Sequence, residues 1–210
     1  MVRVVGGQDI KAKQLWALSL VAGWLVFTAV AFWWFQLKDV RPFAPSSENR
    51  AVFFRADALL QRLGSLVEDA PTGRITVVHF WDPDCACSRF SDAHVAELIQ
   101  AYGSRGVAFI VVPRAVAARD EARRRAVELF GAPVTVAAMD DLAMPSSPAA
   151  AVLDAAGRLV YFGPYSNGAV CGAGGDAFVE KALDKALAGD TAQVLNMAAV
   201  GCFCDWNHRG

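Results

Sequence analysis

Apolar positions dominate Leu15 to Phe35, a run of 21 residues without a charge. As a helix it would reach about 31 Å, enough to cross a bilayer core. Trp16 near one end and Trp33 and Trp34 at the other suit the two aromatic belts of a span. Ala29-Val30-Ala31 is also an A-x-A cleavage pattern. The apolar run continues past it to Phe35, longer than a typical signal-peptide h-region, which favours an uncleaved anchor. Pattern and punctuation then predict a division into an N-terminal stretch (1–14), a transmembrane helix (15–36), a linker (37–50), a folded domain (51–188) and a cysteine-containing tail (189–210). The linker reading rests on Pro42, Pro45, Ser46 and Ser47.

Within the domain, Val52-Phe53-Phe54 reads as a short strand. Asp57 to Val67 reads as a helix, with Leu59, Leu60, Leu63 and Leu66 at helical spacing and Asp57 as N-cap. Arg74 to Trp81 is a buried-type strand that ends in the turn Asp82-Pro83-Asp84. Cys87 to Tyr102 follows as a helix, with Phe90, His94, Val95, Leu98 and Tyr102 on or near one face. Val107 to Val112 is a second buried-type strand closed by Pro113. Val116 to Phe130 is a helix whose Arg119, Arg123, Arg124 and Arg125 alternate with acids as a solvated face. A weak strand at Val134 to Ala137 precedes a hairpin of Ala149–Asp154 and Arg158–Phe162, and an amphipathic helix covers Asp176 to Leu187. Strand–helix–strand, a helix, then a hairpin and a last helix predict an α/β fold with a mixed sheet and a right-handed parallel crossover.

Charge changes this picture little. Twenty basic and 21 acidic residues leave a net charge of −1 with no long basic block, so nucleic acid is not an expected partner. Basic residues flank the span almost equally. The short N-terminus and the bulk of the chain after the span predict an N-in orientation, with the domain facing the periplasm or outside of an inner (plasma) membrane. The glycines of residues 165–175 lack a P-loop ending, and no organic cofactor is expected.

The cysteines change it more. Five are present, and four form two C-x-C pairs, Cys85/Cys87 and Cys202/Cys204; the fifth is Cys171. Cys85 and Cys87 open a helix directly after a buried strand, where the helix N-terminus favours thiolate over thiol. Asp82 and Asp84 are expected to oppose that effect. Residues two apart on a helix do not face one another, so three arrangements stay open. Cys85 and Cys87 form a strained local bridge, they exchange with Cys202 or Cys204, or Cys171 bridges to a tail cysteine. A competing class is a Cu(I) or Zn(II) thiolate site built from Cys85, Cys87, Cys171, Cys202 and Cys204, although C-x-C is shorter than the usual zinc spacing. A third is a non-catalytic binding module displayed on the membrane.

The stretch Ile75 to Ser88 resembles the thioredoxin-like superfamily, and the resemblance extends in element order over Val52 to Leu187. Phe80-Trp81 is followed, after the family's interval, by Cys85. The resemblance implies that Cys85 is the attacking cysteine and that protein thiols or disulfides, or an upstream redox donor, are its partners. The family's second cysteine would fall at Ser88, and Cys87 comes one residue early. His79 stands where the family has a buried acid that moves a proton. Pro148 matches the family's cis-proline, with Met144-Pro145 as the weaker alternative. Thiol–disulfide exchange is therefore the expected activity, with Cys87 or a tail cysteine resolving, Cys202 and Cys204 as a candidate second redox pair, and lipid contacts through residues 15–36.

Overall fold

The computed structural model describes residues 7–37, 40–44, 60–61, 63–64, 71–114, 119–131, 134–136, 144–167, 177–190 and 192–206. They belong to two units, Met1–Lys38 and Asp39–Gly210. In the first, helix α1 (Gly7–Phe32) runs on into a π-helical turn at Trp33–Leu37. Its stretch Lys13–Phe35 is long and apolar enough to cross a membrane. The Thr28 hydroxyl donates back to the Trp24 carbonyl at 2.9 Å, so this polar side chain is satisfied within the helix.

The second unit is built on β2 (Thr76–Trp81), whose six residues are all buried. On one side β2 pairs in parallel with β3 (Ala108–Pro113), and β3 in parallel with β4 (Val134–Val136). On the other it pairs antiparallel with β6 (Ala149–Leu153), β6 antiparallel with β7 (Leu159–Gly163), and β7 parallel with β8 (Val194–Leu195). Near-continuous apolar runs form the central strands because both faces of the sheet are covered. Side chains alternate across β2 with the period of two that a strand imposes. Val77 and Trp81 join Leu98 of α2 (Ala86–Gly103), Phe130 of α3 (Arg119–Phe130) and Leu183 of α4 (Phe178–Leu187). Val78 and Phe80 face the opposite way, against Phe43, Leu63, Met144, Phe203 and Trp206.

Local chemistry sets the turns. In the β6–β7 hairpin the Asp154 carboxylate accepts the N–H groups of Ala156 and Arg158, each at 2.9 Å, while Gly157 takes a φ of 75°. Burial pushes the Asp154 carboxyl up, but those N–H groups and the Arg158 guanidinium outweigh it and hold it below its usual value. The Ser147–Pro148 bond is cis and opens β6. A parallel β–α–β crossover followed by an antiparallel hairpin and a closing helix, with a cis-proline at the hairpin's start, is the thioredoxin-like arrangement that the sequence resemblance implied.

Two regions carry more structure than their patterning suggests. The segment expected as a linker holds β1 (Val40–Pro42), followed by Phe43 and Ala44, both buried. The Phe43 ring meets Phe162 and Phe203 edge-on, with centroids 5.9 and 5.4 Å apart. Burying one such ring stabilises by about 2–3 kcal/mol, which turns a proline-containing stretch into part of the core. The tail holds β9 (Val200–Cys202), antiparallel to β1, and β10 (Cys204–Asp205), antiparallel to β5 (Ser146–Ser147). These pieces are too short to show a period. The expected strand at Val52–Phe54 lies outside the described residues, as does most of the helix expected at 57–67. Residues 60–61 and 63–64 of that helix are helical, and Leu63 is fully buried.

Candidate functional site

Cys85 sits at the junction of strand and helix. Its backbone is extended (φ −77°, ψ 124°), it occupies the N-cap of α2, and the Ser88 N–H donates to its sulfur at 3.4 Å. A sulfur at an N-cap takes up one of the donors a helix start leaves open, and the same donor favours negative charge there. Ser88 stands where the family's second cysteine would fall. It is fully buried, and its hydroxyl lies 2.9 Å from that of Ser147. Ser147 in turn accepts the Asp82 N–H at 3.1 Å, and its carbonyl lies 3.9 Å from the Cys85 sulfur. The residue before the cis-proline thereby ties β5, the end of β2 and the start of α2 together. The sequence marked Ser88 only as the place of the family's second cysteine and Ser147 only as the residue before Pro148.

The expected opposition from two carboxylates is only half present. Asp82 is buried and accepts from Arg114 Nη1 at 2.8 Å, and its other oxygen accepts the Asp84 N–H at 3.0 Å. A guanidinium in contact offsets the charge Asp82 would otherwise project on the thiols. Asp84 is exposed, where water screens it. Arg114 lies just past the end of β3, far from Asp82 in sequence, so no spacing could have revealed the pairing.

The tail supplies the partners of both motif cysteines. Cys85 is bonded to Cys204 (Cα–Cα 6.0 Å) and Cys87 to Cys202 (Cα–Cα 5.6 Å). Of the three arrangements left open by the sequence, motif-to-tail pairing is the one formed, and the local Cys85–Cys87 bridge is not. Cys171 lies outside the described residues, and both tail cysteines are already taken. Cys85 is the extended N-cap and Cys87 the second residue of the helix, and each meets a different tail cysteine, Cys204 at the start of β10 and Cys202 at the end of β9. The sulfurs of Cys85, Cys87 and Cys204 lie within 4.8 Å of one another. Three of the five cysteines named in the metal reading therefore converge, and Cys171 lies outside the described residues. In this oxidised state their sulfurs are spent on disulfides and offer no thiolate to a soft metal.

Several contacts seat the tail. Arg41 of β1 pairs with Asp205 at 3.3 Å, the Phe43 N–H donates to the Ala199 carbonyl at 2.8 Å, and the Ser146 hydroxyl donates to the Phe43 carbonyl at 2.7 Å. The tail's Phe203 and Trp206 are buried in the core; Trp206 meets the Phe80 ring edge-on, at 6.3 Å.

His79 is buried on β2 with its ring against Phe130 and Tyr165, and the Tyr165 hydroxyl lies 2.8 Å from its Nδ1. Burial lowers its pKa to about 3, offset only partly by the Ala149 backbone, and Nε2 has no hydrogen-bond partner among the described residues. Near neutral pH the ring is uncharged and holds no thiolate electrostatically. His94 pairs instead with Glu180 of α4 at 2.8 Å, and that hydrogen bond raises its pKa against the effect of burial. Asp92 accepts from Trp81 Nε1 at 3.0 Å, and burial pushes its carboxyl up to about 6.

Comparisons with known proteins place these features. A family model described as a domain of unknown function (DUF6436) matches residues 54–206. No curated protein matches the chain. Among solved structures, an uncharacterized conserved protein from Geobacillus kaustophilus aligns at a TM-score of 0.55 and 19% identity, covering 68% of this chain and 81% of its own. The hypothetical protein SMc02350 from Sinorhizobium meliloti 1021 aligns at 0.51 and 20%, covering 70% and 84%. A thiol:disulfide interchange protein of the thioredoxin family from Chlorobium tepidum TLS aligns at 0.41 and 18%, covering 55% and 81%. At these identities the likeness to the Geobacillus kaustophilus and Sinorhizobium meliloti proteins is one of fold alone.

Proposed function

We propose that this chain, which belongs to the DUF6436 family, is a membrane-anchored thiol–disulfide oxidoreductase that works outside the cytoplasm. The observation that carries the reading is Cys85 at the N-cap of α2, its sulfur reached by a backbone N–H and bonded to Cys204 of the tail. A thiol released there is the group in the site best able to exist as thiolate and attack a partner disulfide. Cys204 then resolves the mixed disulfide, which regenerates the Cys85–Cys204 bond and releases the partner as a dithiol. Pro148 shapes the edge beside Cys85. Burial holds the His79 ring uncharged with Tyr165 against it, so His79 is not assigned the proton of the exchange step. Residues 13–35 anchor the domain. Persistent disulfides are at home in an oxidising compartment, which supports the outward-facing orientation.

The test is exchange by the full chain, reduced in detergent micelles, with a disulfide-bonded model peptide. Cys85→Ser should abolish turnover, and exchange that survives it would overturn the choice of nucleophile. Orientation is read separately, by labelling of freshly reduced cysteines in intact cells with a membrane-impermeant maleimide; labelling only after lysis would place the domain inside.

A further inference from the structure

We propose that the two bridges have different tasks: Cys85–Cys204 opens to an external dithiol, which attacks at Cys204, while Cys87–Cys202 stays closed and holds the tail within reach. This rests on the reading of Cys85 as the exchange thiol. It adds which sulfur an electron donor meets and what the second pair is for.

The first reason is access. Cys85 and Cys87 are buried, at 3% and 0% exposure, beneath the tail strand that covers them, whereas Cys202 and Cys204 are half-buried. An incoming thiolate therefore reaches either bond from its tail side. The second reason is the leaving group. Attack on one sulfur of a disulfide expels the other, and the more stable thiolate leaves faster. Attack at Cys204 expels Cys85, which departs into an N-cap with the Ser88 N–H already directed at it. Attack at Cys202 would expel Cys87, one residue inside the helix, where among the described residues no N–H is directed at its sulfur. Both preferences select the same bond.

The step balances simply. A donor thiolate forms a bond to Cys204 Sγ, the Cys85–Cys204 bond breaks, and Cys85 keeps the electron pair as thiolate. The donor's second thiol then attacks its own mixed-disulfide sulfur, so the donor leaves as a disulfide and Cys204 as a thiol. Two electrons and two protons pass from the donor dithiol to Cys85 and Cys204. Electrons thus enter through Cys204 and leave through Cys85.

The clamp follows from where Cys202 sits. It ends β9, which is held by its three-residue pairing with β1, while Phe203 on the far side is buried in the core. With Cys87–Cys202 closed, Cys204 can move only on the short arm of two residues beyond the clamp. An opened Cys85 and Cys204 then meet as an intramolecular pair at high effective concentration.

Glutathione is the probe. The oxidised full chain in detergent micelles is mixed with it, quenched in acid after brief exposure, denatured, alkylated with N-ethylmaleimide and mapped by peptide mass. The expected early product carries glutathione on Cys204 and maleimide on Cys85, in several-fold excess over the reverse labelling, with the Cys87–Cys202 peptide still bridged. Glutathione mainly on Cys85, opening of Cys87–Cys202 at an equal or greater rate, or resistance of both bonds would each overturn the proposal. The mapping uses the unaltered protein, so no variant has to fold. In a second arm, Cys87→Ala/Cys202→Ala should slow re-closure of Cys85–Cys204 by tenfold or more if the clamp sets the effective concentration; an unchanged rate removes the clamp from the mechanism. Exchange that requires Cys85 while glutathione lands on Cys85 defeats this inference alone. Exchange that persists in Cys85→Ser defeats the reading beneath it.

Discussion

Removing the bridges one at a time and together should give strongly non-additive losses of stability. The bonds close loops of nearly equal length, with sequence separations of 119 and 115, and one is nested just inside the other. In the chain-entropy account, a single cross-link over a loop of that size removes about 5 kcal/mol of unfolded-state freedom. Once either bridge exists, the other closes only a ring of about six residues formed by the two C-x-C segments, worth about 2 kcal/mol on the same scale. Cys85→Ala/Cys204→Ala or Cys87→Ala/Cys202→Ala should each cost about 2 kcal/mol, whereas the fourfold alanine variant should cost about 7 kcal/mol, well above the sum. That larger loss is comparable to the whole stability of many domains. The assay is urea unfolding of the full chain in detergent, read by pulse proteolysis of the second unit. Losses of about 5 kcal/mol for each pair, summing in the fourfold variant, would refute the nesting. A fourfold variant as stable as either double variant would show that core contacts of Phe203 and Trp206 alone keep the tail in place.

Three further outcomes follow from the packing and the shifted groups. His79 has a folded pKa of about 3 against about 6.5 unfolded, so its contribution is full above pH 6.5 and falls as pH drops toward 3. Near pH 5 the loss is about 2 kcal/mol, and His79→Leu should flatten the slope of the urea midpoint between pH 7 and 5 whatever its absolute stability; an unchanged slope contradicts the assignment. Asp92 is the opposite case: its folded pKa lies above its unfolded value, so the ionised form costs stability and that cost fades as pH falls through about 6. Asp92→Asn should therefore raise the urea midpoint more at pH 8 than at pH 5, and an equal change at both would be against it. Phe43→Ala should cost about 3–5 kcal/mol, because a fully buried ring between Phe162 and Phe203 leaves a cavity; a near-neutral result in the same denaturation assay would mean that the segment after α1 is not part of the core.

The elements with a clear period could be read directly. The strands at 76–81 and 108–113, the helix after Cys85 and the hairpin around Gly157 all announce themselves through apolar runs, helical spacing and a turn glycine. The less legible parts are short or held by distant partners. β1 has three residues and a proline and becomes a strand only because β9 is there to pair with it. Asp82 looked like an unfavourable neighbour of the thiols until Arg114, 32 residues away, proved to contact it. His79 could be placed in a strand, but whether it is charged depends on the burial that Phe130 and Tyr165 impose.

By itself the sequence determined that a cysteine pair opening a helix follows a buried strand, that a second C-x-C waits near the other end of the chain, and that an apolar helix precedes both. Those features depend on neighbours within a turn or a strand, where spacing alone sets geometry. Which cysteine bonds to which was decided only in three dimensions. Four cysteines permit three complete pairings. The choice was made by β10 lying along Ser146–Ser147 and β9 along Val40–Pro42, which set Cys204 opposite Cys85 and Cys202 opposite Cys87. Disulfide connectivity is a statement about distance, and distance between residues more than a hundred positions apart is a property of the folded chain.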